Sequence, residues 1–248
     1  MDHTPVYLIT GATGGIGSTL CRQLMAQNAS VSAISNNLEK LNHLAQETGV
    51  HTLEADVRSY ESLEQAVTKT HEHFGRLDGV VNCTGSILLK PAHLTSVEDW
   101  NNTLSLNLTA GFYLLKASIR YLKKTPDSVK SVVFLSSAAA TTGLKNHDAI
   151  AAAKAGLNGL VRSAAATYAP QGIRVNAVAP GLVETPLAEK LLSSPAALAA
   201  SERLHPLGRI GQPDDIASAV CWLLDAKQSW VTGQIIGVDG GLAALKGA

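Results

Sequence analysis

Seven short apolar runs punctuate this chain, at residues 6–10, 31–35, 52–56, 79–83, 131–136, 174–179 and 235–238. Longer stretches of helical periodicity lie between them, at 16–27, 38–48, 60–74, 97–124, 149–169 and 213–225. The runs are apolar throughout rather than alternating. Strands of that kind are covered on both faces, which implies parallel pairing with helices packed above and below. The regular alternation predicts one doubly wound sheet with right-handed crossovers and helices on both faces. No repeat or linker interrupts it, so residues 1–248 are expected to form a single domain. The one long irregular stretch, 181–211, carries Pro186, Pro195 and Pro206 and is expected to act as a lid over a ligand.

The first run leads straight into Gly11-Ala12-Thr13-Gly14-Gly15-Ile16-Gly17, and a helical pattern follows. Such a turn points backbone N–H groups and the positive end of the helix at one place, where a pyrophosphate fits. A glycine-rich turn alone is weak. Its position at the first βα connection of an α/β alternation makes this a Rossmann-type fold that binds a nucleotide.

Composition narrows the function. Lys+Arg and Asp+Glu are both 20, so the net charge is zero, and neither nucleic acid nor an anionic membrane is an expected partner. Cys21, Cys83 and Cys221 lie too far apart for a metal motif or a disulfide framework, so no metal is expected and a reducing compartment is. Met1-Asp2-His3-Thr4-Pro5 lacks a basic leader, and no apolar run approaches the roughly 20 residues that span a bilayer. The expectation is a cytoplasmic protein.

Several further motifs stand in order along nearly the whole chain. They are Thr10-Gly11 with Gly15-Ile16-Gly17, Asp56-Val57, Asn82-Cys83-Thr84-Gly85, Pro180-Gly181 with Thr185, residues 206–217, and Thr232-Gly233-Gln234 through Asp239-Gly240-Gly241. Together they resemble the short-chain dehydrogenase/reductase family, in particular its 3-oxoacyl-carrier-protein-reductase branch. The resemblance implies a nicotinamide dinucleotide with its pyrophosphate over Gly11, Thr13, Gly15, Ile16 and Gly17. It implies adenine at Asp56 and Val57, the adenosine ribose beside Asn82 and Gly85, and the carboxamide at Thr185 beyond Pro180 and Gly181. After the second strand, Ser35-Asn36-Asn37 offers neither a carboxylate to repel a 2′-phosphate nor an arginine to clamp it. Ser35 and Asn36 suit NAD or NADP, and the missing carboxylate tips the expectation to NADP.

The family's proton-transfer group is a Ser, a Tyr, a Lys and an Asn. The resemblance carries over Ser137 toward the substrate oxygen, Lys154 toward the nicotinamide ribose, and Asn107 as the holder of a water behind the lysine. Ile150 stands where the tyrosine is expected. His147, seven residues before Lys154, can share its helix face and titrates near neutrality, which makes it a substitute donor. A water relay from Lys154 is the other substitute, though an ordinary ammonium of pKa about 10.4 is a poor acid near neutrality. Each residue also has a purely structural reading: Ser137 as a turn cap, Lys154 as a solvated helix residue, Asn107 as a helix residue bonded to backbone, and His147 as an exposed residue at a helix start.

The leading expectation is an NAD(P)-dependent oxidoreductase acting on a small carbonyl or hydroxyl substrate. The rival is a pseudoenzyme that binds cofactor as a scaffold subunit. An apolar pocket wall is expected from Ala138, Ala139, Ala140, Ile150, Leu182, Val183, Leu187 and Leu191. The helices over 104–115 and 151–166, with the segment 240–248, suggest a homodimer, a homotetramer or a heteromer with an active paralogue.

Overall fold

The structure, a computed structural model, describes residues 4–125 and 128–245. Residues 1–3, part of the segment expected to lack a basic leader, and residues 246–248, part of the expected 240–248 contact, lie outside the described residues. The strands are β1 Val6–Thr10, β2 Ser30–Ser35, β3 His51–Glu54, β4 Gly79–Asn82, β5 Lys130–Leu135, β6 Ile173–Pro180 and β7 Ile235–Val238. The helices are α1 Gly15–Ala26, α2 Leu38–Thr48, α3 Tyr60–Phe74, α4 Val97–Leu104, α5 Ala110–Lys124, α6 Asp148–Tyr168, α7 Pro195–Leu204 and α8 Pro213–Leu224. The described strands form one parallel sheet in the order β3-β2-β1-β4-β5-β6-β7. This is the expected Rossmann-type arrangement. The order reverses between β1 and β4, and in such sheets ligands bind beyond the strand ends at that reversal.

Continuous apolarity in the strands has the predicted cause. Tyr7 and Ile9 face a core layer with Leu20, Leu24, Leu41 and Val220, while Leu8 between them faces the opposite layer with Leu63, Leu114, Leu157 and Val161. β1 therefore feeds two cores. Full burial of a leucine or isoleucine contributes about 1.5–3 kcal/mol. The helices of one layer are α1, α2 and α8; those of the other are α3, α5 and α6.

Two expectations are corrected. The helical pattern over 97–124 is continuous but not α throughout: a π turn at Ser105–Thr109 lies between α4 and α5. The stretch 181–211 is not irregular throughout, since it contains a 3₁₀ turn at Glu189–Leu192 and α7, which Ser194 caps by accepting from Ala197 N–H at 3.2 Å. Pro195 at the first helical position is a helix start rather than a loop marker.

Candidate active site

The glycine turn lies beyond β1, at the sheet's reversal. Gly11 has φ of +68°, and a Cβ there would stand 2.9 Å from the Cys83 carbonyl carbon. A Cβ on Gly17 would stand 2.2 Å from Gly11 O, and one on Gly15 would stand 2.7 Å from Thr185 Cγ2. The turn thus fits between the end of β4 and the segment after β6 only without side chains. Gly11, Gly15 and Thr185, drawn from distant parts of the sequence, meet here.

The start of α1 differs from its neighbours. Asn37, Ser59, Ser96 and Ser194 cap α2, α3, α4 and α7 with side-chain oxygens. Gly14 caps α1 with none, and no acid stands in the first turn. The first N–H groups of α1, from Gly15, Ile16 and Gly17, therefore keep their positive field for an anion. The uncapped helix and the cradle that a Cβ would fill both fit a dinucleotide pyrophosphate.

At the edge of the cradle, Thr13 Oγ1 and Ser35 Oγ share a hydrogen bond of 2.7 Å, and Ser35 Oγ also accepts from Asn37 N–H at 3.2 Å. Ser35 is buried by these bonds, while Asn36 is exposed beside it. Asp56 is exposed and uses one carboxylate oxygen on Arg58 N–H at 2.9 Å. Val57 packs against the α3–α5–α6 layer.

Asn82 has a structural task that its motif did not disclose. Its Oδ1 accepts from Thr10 Oγ1 at 3.0 Å, from Thr84 N–H at 3.0 Å and from the Thr84 hydroxyl, tying β1 to the loop after β4. Gly85 follows in that loop. A Cβ on Gly85 would meet Asn107 Oδ1 at 3.1 Å and Lys154 Nζ at 3.7 Å. Asn107 sits in the π turn, the kind of helix irregularity that recurs at functional sites. Its carboxamide is engaged at both ends: Oδ1 accepts from Ser86 N–H at 3.1 Å, and Nδ2 donates to Ser86 Oγ at 2.9 Å and to Thr103 O at 3.0 Å. Its reading as a residue bonded to backbone is therefore realised, with both Nδ2 donors used and Oδ1 accepting one bond. Ser86, which the sequence did not single out, completes this clamp.

Lys154 is not a solvated helix residue. It is 6% exposed on α6, and Nζ donates to Leu135 O at the end of β5, 2.7 Å away. Burial pushes the amine down to about 8, with the Cys83 thiol acting weakly the other way. The ammonium of ordinary pKa expected from sequence is thereby corrected. Ile150 lies one turn earlier on α6 and is 6% exposed.

Ser137 does cap a turn: its Oγ accepts from Ala139 N–H at 3.1 Å. The hydroxyl proton is not spent on that bond. His147 precedes α6 rather than lying within it, and its Nδ1 donates to Lys145 O at 2.8 Å. Next to it, Asp148 Oδ2 accepts from Ala92 N–H at 2.6 Å and fixes the first turn of α6 against the residues before α4.

The expected apolar wall holds only in part. Ala138, Ala139, Ile150 and Val183 are buried, whereas Leu187 is exposed. Leu182 instead lines a pocket of about 290 Å³ beyond the ends of β6 and β7, with His205, Leu207, Arg209 and Asp239. Sequence reading missed His205. It is buried under Gly181, donates from Nδ1 to Ser201 O at 2.8 Å and accepts at Nε2 from Leu182 N–H at 3.1 Å. It thus anchors the segment after Pro180 and Gly181 that carries Thr185. No local pattern marks a histidine satisfied this way.

Comparison with known proteins agrees with the fold. The enoyl-(acyl carrier protein) reductase family matches residues 11–243. The 3-oxoacyl-[acyl-carrier-protein] reductase FabG of Thermotoga maritima is 35% identical over 244 residues, covering 96% of this chain and 97% of that protein. The D-threitol dehydrogenase of Mycolicibacterium smegmatis is 32% identical over 241 residues, covering 95% and 92%. Among solved structures, a variant of the actinorhodin polyketide ketoreductase with NADPH superimposes with a TM-score of 0.92 at 29% identity, covering 99% of this chain and all of that one.

Proposed function

The chain belongs to the short-chain dehydrogenase/reductase family of oxidoreductases, and from that premise we propose that it is a nicotinamide-dinucleotide-dependent oxidoreductase of small carbonyl or hydroxyl compounds. The observation that carries the reading is the glycine cradle against Thr185 and the end of β4, above an α1 start that no side chain caps. Gly11, Thr13, Gly15, Ile16 and Gly17 would hold the pyrophosphate. Asp56 and Val57 would hold the adenine, Asn82 and Gly85 would flank the adenosine ribose, and Lys154 would hold the nicotinamide ribose. Thr185, beyond Pro180 and Gly181, would hold the carboxamide. When bound, the dinucleotide supplies or takes a hydride. Ser35 and Asn36 would face the 2′ position without a carboxylate, which favours NADP over NAD.

On the substrate side, the spare proton of Ser137 is suited to bond the reacting oxygen. Position 150 offers no proton, which leaves His147 and Lys154 as the candidate donors. Asn107 acts through Ser86 and Gly85 by holding their loop against Lys154. Calorimetric titration with NADPH and NADH tests the reading: binding of either is expected, and no binding of both at millimolar concentration overturns it.

One observation favours a second reading. Ile150 is buried and apolar at the centre of the site, as in a subunit that binds cofactor without catalysis. On either reading we propose one domain over 1–248 and a dimer or tetramer. The outward face of α6 exposes Ala152, Ala155, Gly156, Gly159 and Ala166 beside Arg162, Ser163 and Thr167, and its small residues allow a second helix close approach. A heteromer with an active paralogue suits the second reading. The free thiols of Cys21, Cys83 and Cys221 support a reducing, cytoplasmic setting. No described helix is long and apolar enough to cross a membrane.

A further inference from the structure

We infer that Lys154 is itself the acid–base group of this site, exchanging a proton with the substrate oxygen in place of a side chain at position 150. The inference rests on the oxidoreductase reading above and adds the identity of the proton donor.

Lys154 has more donors than the one bond it makes within the chain. A lysine ammonium has three N–H donors. At Lys154 one goes to Leu135 O at 2.7 Å, and no other bond is formed with the described residues. The amine is nevertheless buried, on the side where Gly85 lacks a side chain and a Cβ would come within 3.7 Å. With Leu135 O taking one donor and the nicotinamide ribose proposed above taking another, a third N–H is left for the substrate oxygen, and a buried cation needs such acceptors. Leu135 ends β5, two residues before Ser137, so the one bond that Lys154 makes holds it at the strand end that carries the substrate-side hydroxyl.

The position on α6 agrees. Residues 150 and 154 are one turn apart and share a helix face. Ile150 brings no donor or acceptor to that face, so the amine is the next polar group along it. His147 is less well placed. It stands before the helix with its ring drawn back onto Lys145 O.

Electrostatics allow the role. Burial brings the amine down to about 8, so both of its forms are populated near neutrality, where a general acid or base works best. Among the described residues the titratable group that bears on it is the Cys83 thiol, at the end of β4. Burial raises that thiol far above its ordinary value, so it stays neutral. Asn107, Ser86 and Thr103 on the neighbouring elements carry no charge, so no carboxylate holds the ammonium in its charged form.

The proton step balances simply. In carbonyl reduction the Lys154 N–H bond breaks, an O–H bond forms on the substrate oxygen, and the electron pair stays on nitrogen as a neutral amine. Solvent then returns a proton to the amine. The two electrons that reduce the carbon come from the nicotinamide dinucleotide. In oxidation the neutral amine takes the hydroxyl proton.

The test uses the full-length protein with either dinucleotide and a panel of small ketones and aldehydes. The expected kcat/KM for reduction is flat below about pH 8 and falls about tenfold per pH unit above it. Lys154→Arg keeps a cation but gives up the titrating proton. Its rate is expected to drop at least about tenfold and its break near pH 8 to vanish. His147→Ala is expected to retain the break. A second readout needs no turnover: after reductive methylation with ¹³C-formaldehyde, one lysine resonance should titrate near 8 in the wild type and be missing from Lys154→Arg. A break that disappears in His147→Ala, a Lys154 resonance that titrates like an exposed lysine, or binding without turnover in the wild type overturns the assignment. Failure of the wild type to bind either dinucleotide overturns instead the functional reading beneath it.

Discussion

Asn107 and Ser86 hold each other through two hydrogen bonds of opposite direction, Ser86 N–H to Asn107 Oδ1 at 3.1 Å and Asn107 Nδ2–H to Ser86 Oγ at 2.9 Å. A third bond from Nδ2 to Thr103 O ties the pair to the last turn of α4. The loop after β4 and the π turn therefore move as one piece, and Lys154 packs against it. Asn107→Ala strips a backbone donor, a hydroxyl and a carbonyl of their partners in a buried place. Destabilisation of about 1–3 kcal/mol is expected in urea unfolding. An unchanged midpoint would show that water replaces the carboxamide.

Gly17→Ala tests the cradle. A Cβ 2.2 Å from Gly11 O forces the turn to open, while one on Gly14 would lie 3.3 Å from the same oxygen and needs a far smaller shift. Gly17→Ala should lose about 1–3 kcal/mol of stability and weaken dinucleotide binding at least about tenfold by calorimetry. Gly14→Ala should keep most of both. Equal losses in the two variants would disprove this account of the turn.

Ile150→Tyr asks whether the rest of the site is competent. With Ser137 and Lys154 in place, a phenol at 150 is expected to raise carbonyl reduction at least about tenfold, the lower part of the range for general acid catalysis. Steady-state kinetics on both proteins over one substrate panel decide it. A silent wild type and a silent variant, both still binding cofactor, favour the scaffold reading.

Asp78 should govern part of the acid sensitivity. It accepts Val6 N–H at 2.9 Å and pairs with Arg76 through both carboxylate oxygens, at 2.8 and 2.7 Å, at the other end of β1 and β4 from the site. Burial alone would raise its pKa, but the bonds from Arg76 and Val6 outweigh burial and hold it below the ordinary value. A carboxylate with a lowered native pKa contributes stability above the ordinary aspartate range and loses it as pH falls through the native value. Asp78→Asn should therefore unfold earlier than wild type near neutrality. That gap should close as the wild type is acidified, and urea midpoints across the pH series measure it.

The exposed small-residue face of α6 predicts self-association. Light scattering at micromolar concentration should give a multiple of the single-chain mass. Gly159→Arg, at a position where a side chain meets nothing within the chain, should lower that mass without lowering the thermal midpoint of the subunit. A single-chain mass for the unaltered protein rejects the association.

The layered sheet was legible because apolar strands and amphipathic helices leave periods that differ, and the two cores impose those periods residue by residue. Gly11, Gly15 and Gly17 were legible for a related reason, since backbone at Gly11 and Gly17 and the Thr185 side chain at Gly15 leave no room for a Cβ. The π turn was not, because the chain stays helical through it and a single step of about 100° in the apolar face resembles the ordinary irregularity of an amphipathic helix. Ser86 and His205 escaped notice because their partners, Asn107 and the backbone of Leu182 and Ser201, are brought to them by the tertiary fold or by chain direction rather than by spacing. Lys154 was placed correctly on its helix, but the lowered basicity of its amine comes from burial beneath Gly85 and Leu135, which no local pattern encodes.

The sheet order has a consequence for the timing of assembly. β1 is complete by residue 10, yet one of its two neighbours is β4, so the central ladder cannot close until Gly79–Asn82 has been made. The glycine turn waits for the same event, because Cys83 and Thr84 form the wall behind Gly11, and Thr185 covers Gly15 later still. During synthesis from the N-terminus, the first residues of the cradle are therefore among the last to acquire their final surroundings. A nascent chain that stops short of β6 would present a glycine loop with one side open, and dinucleotide should stabilise chains only after about three quarters of the sequence has emerged.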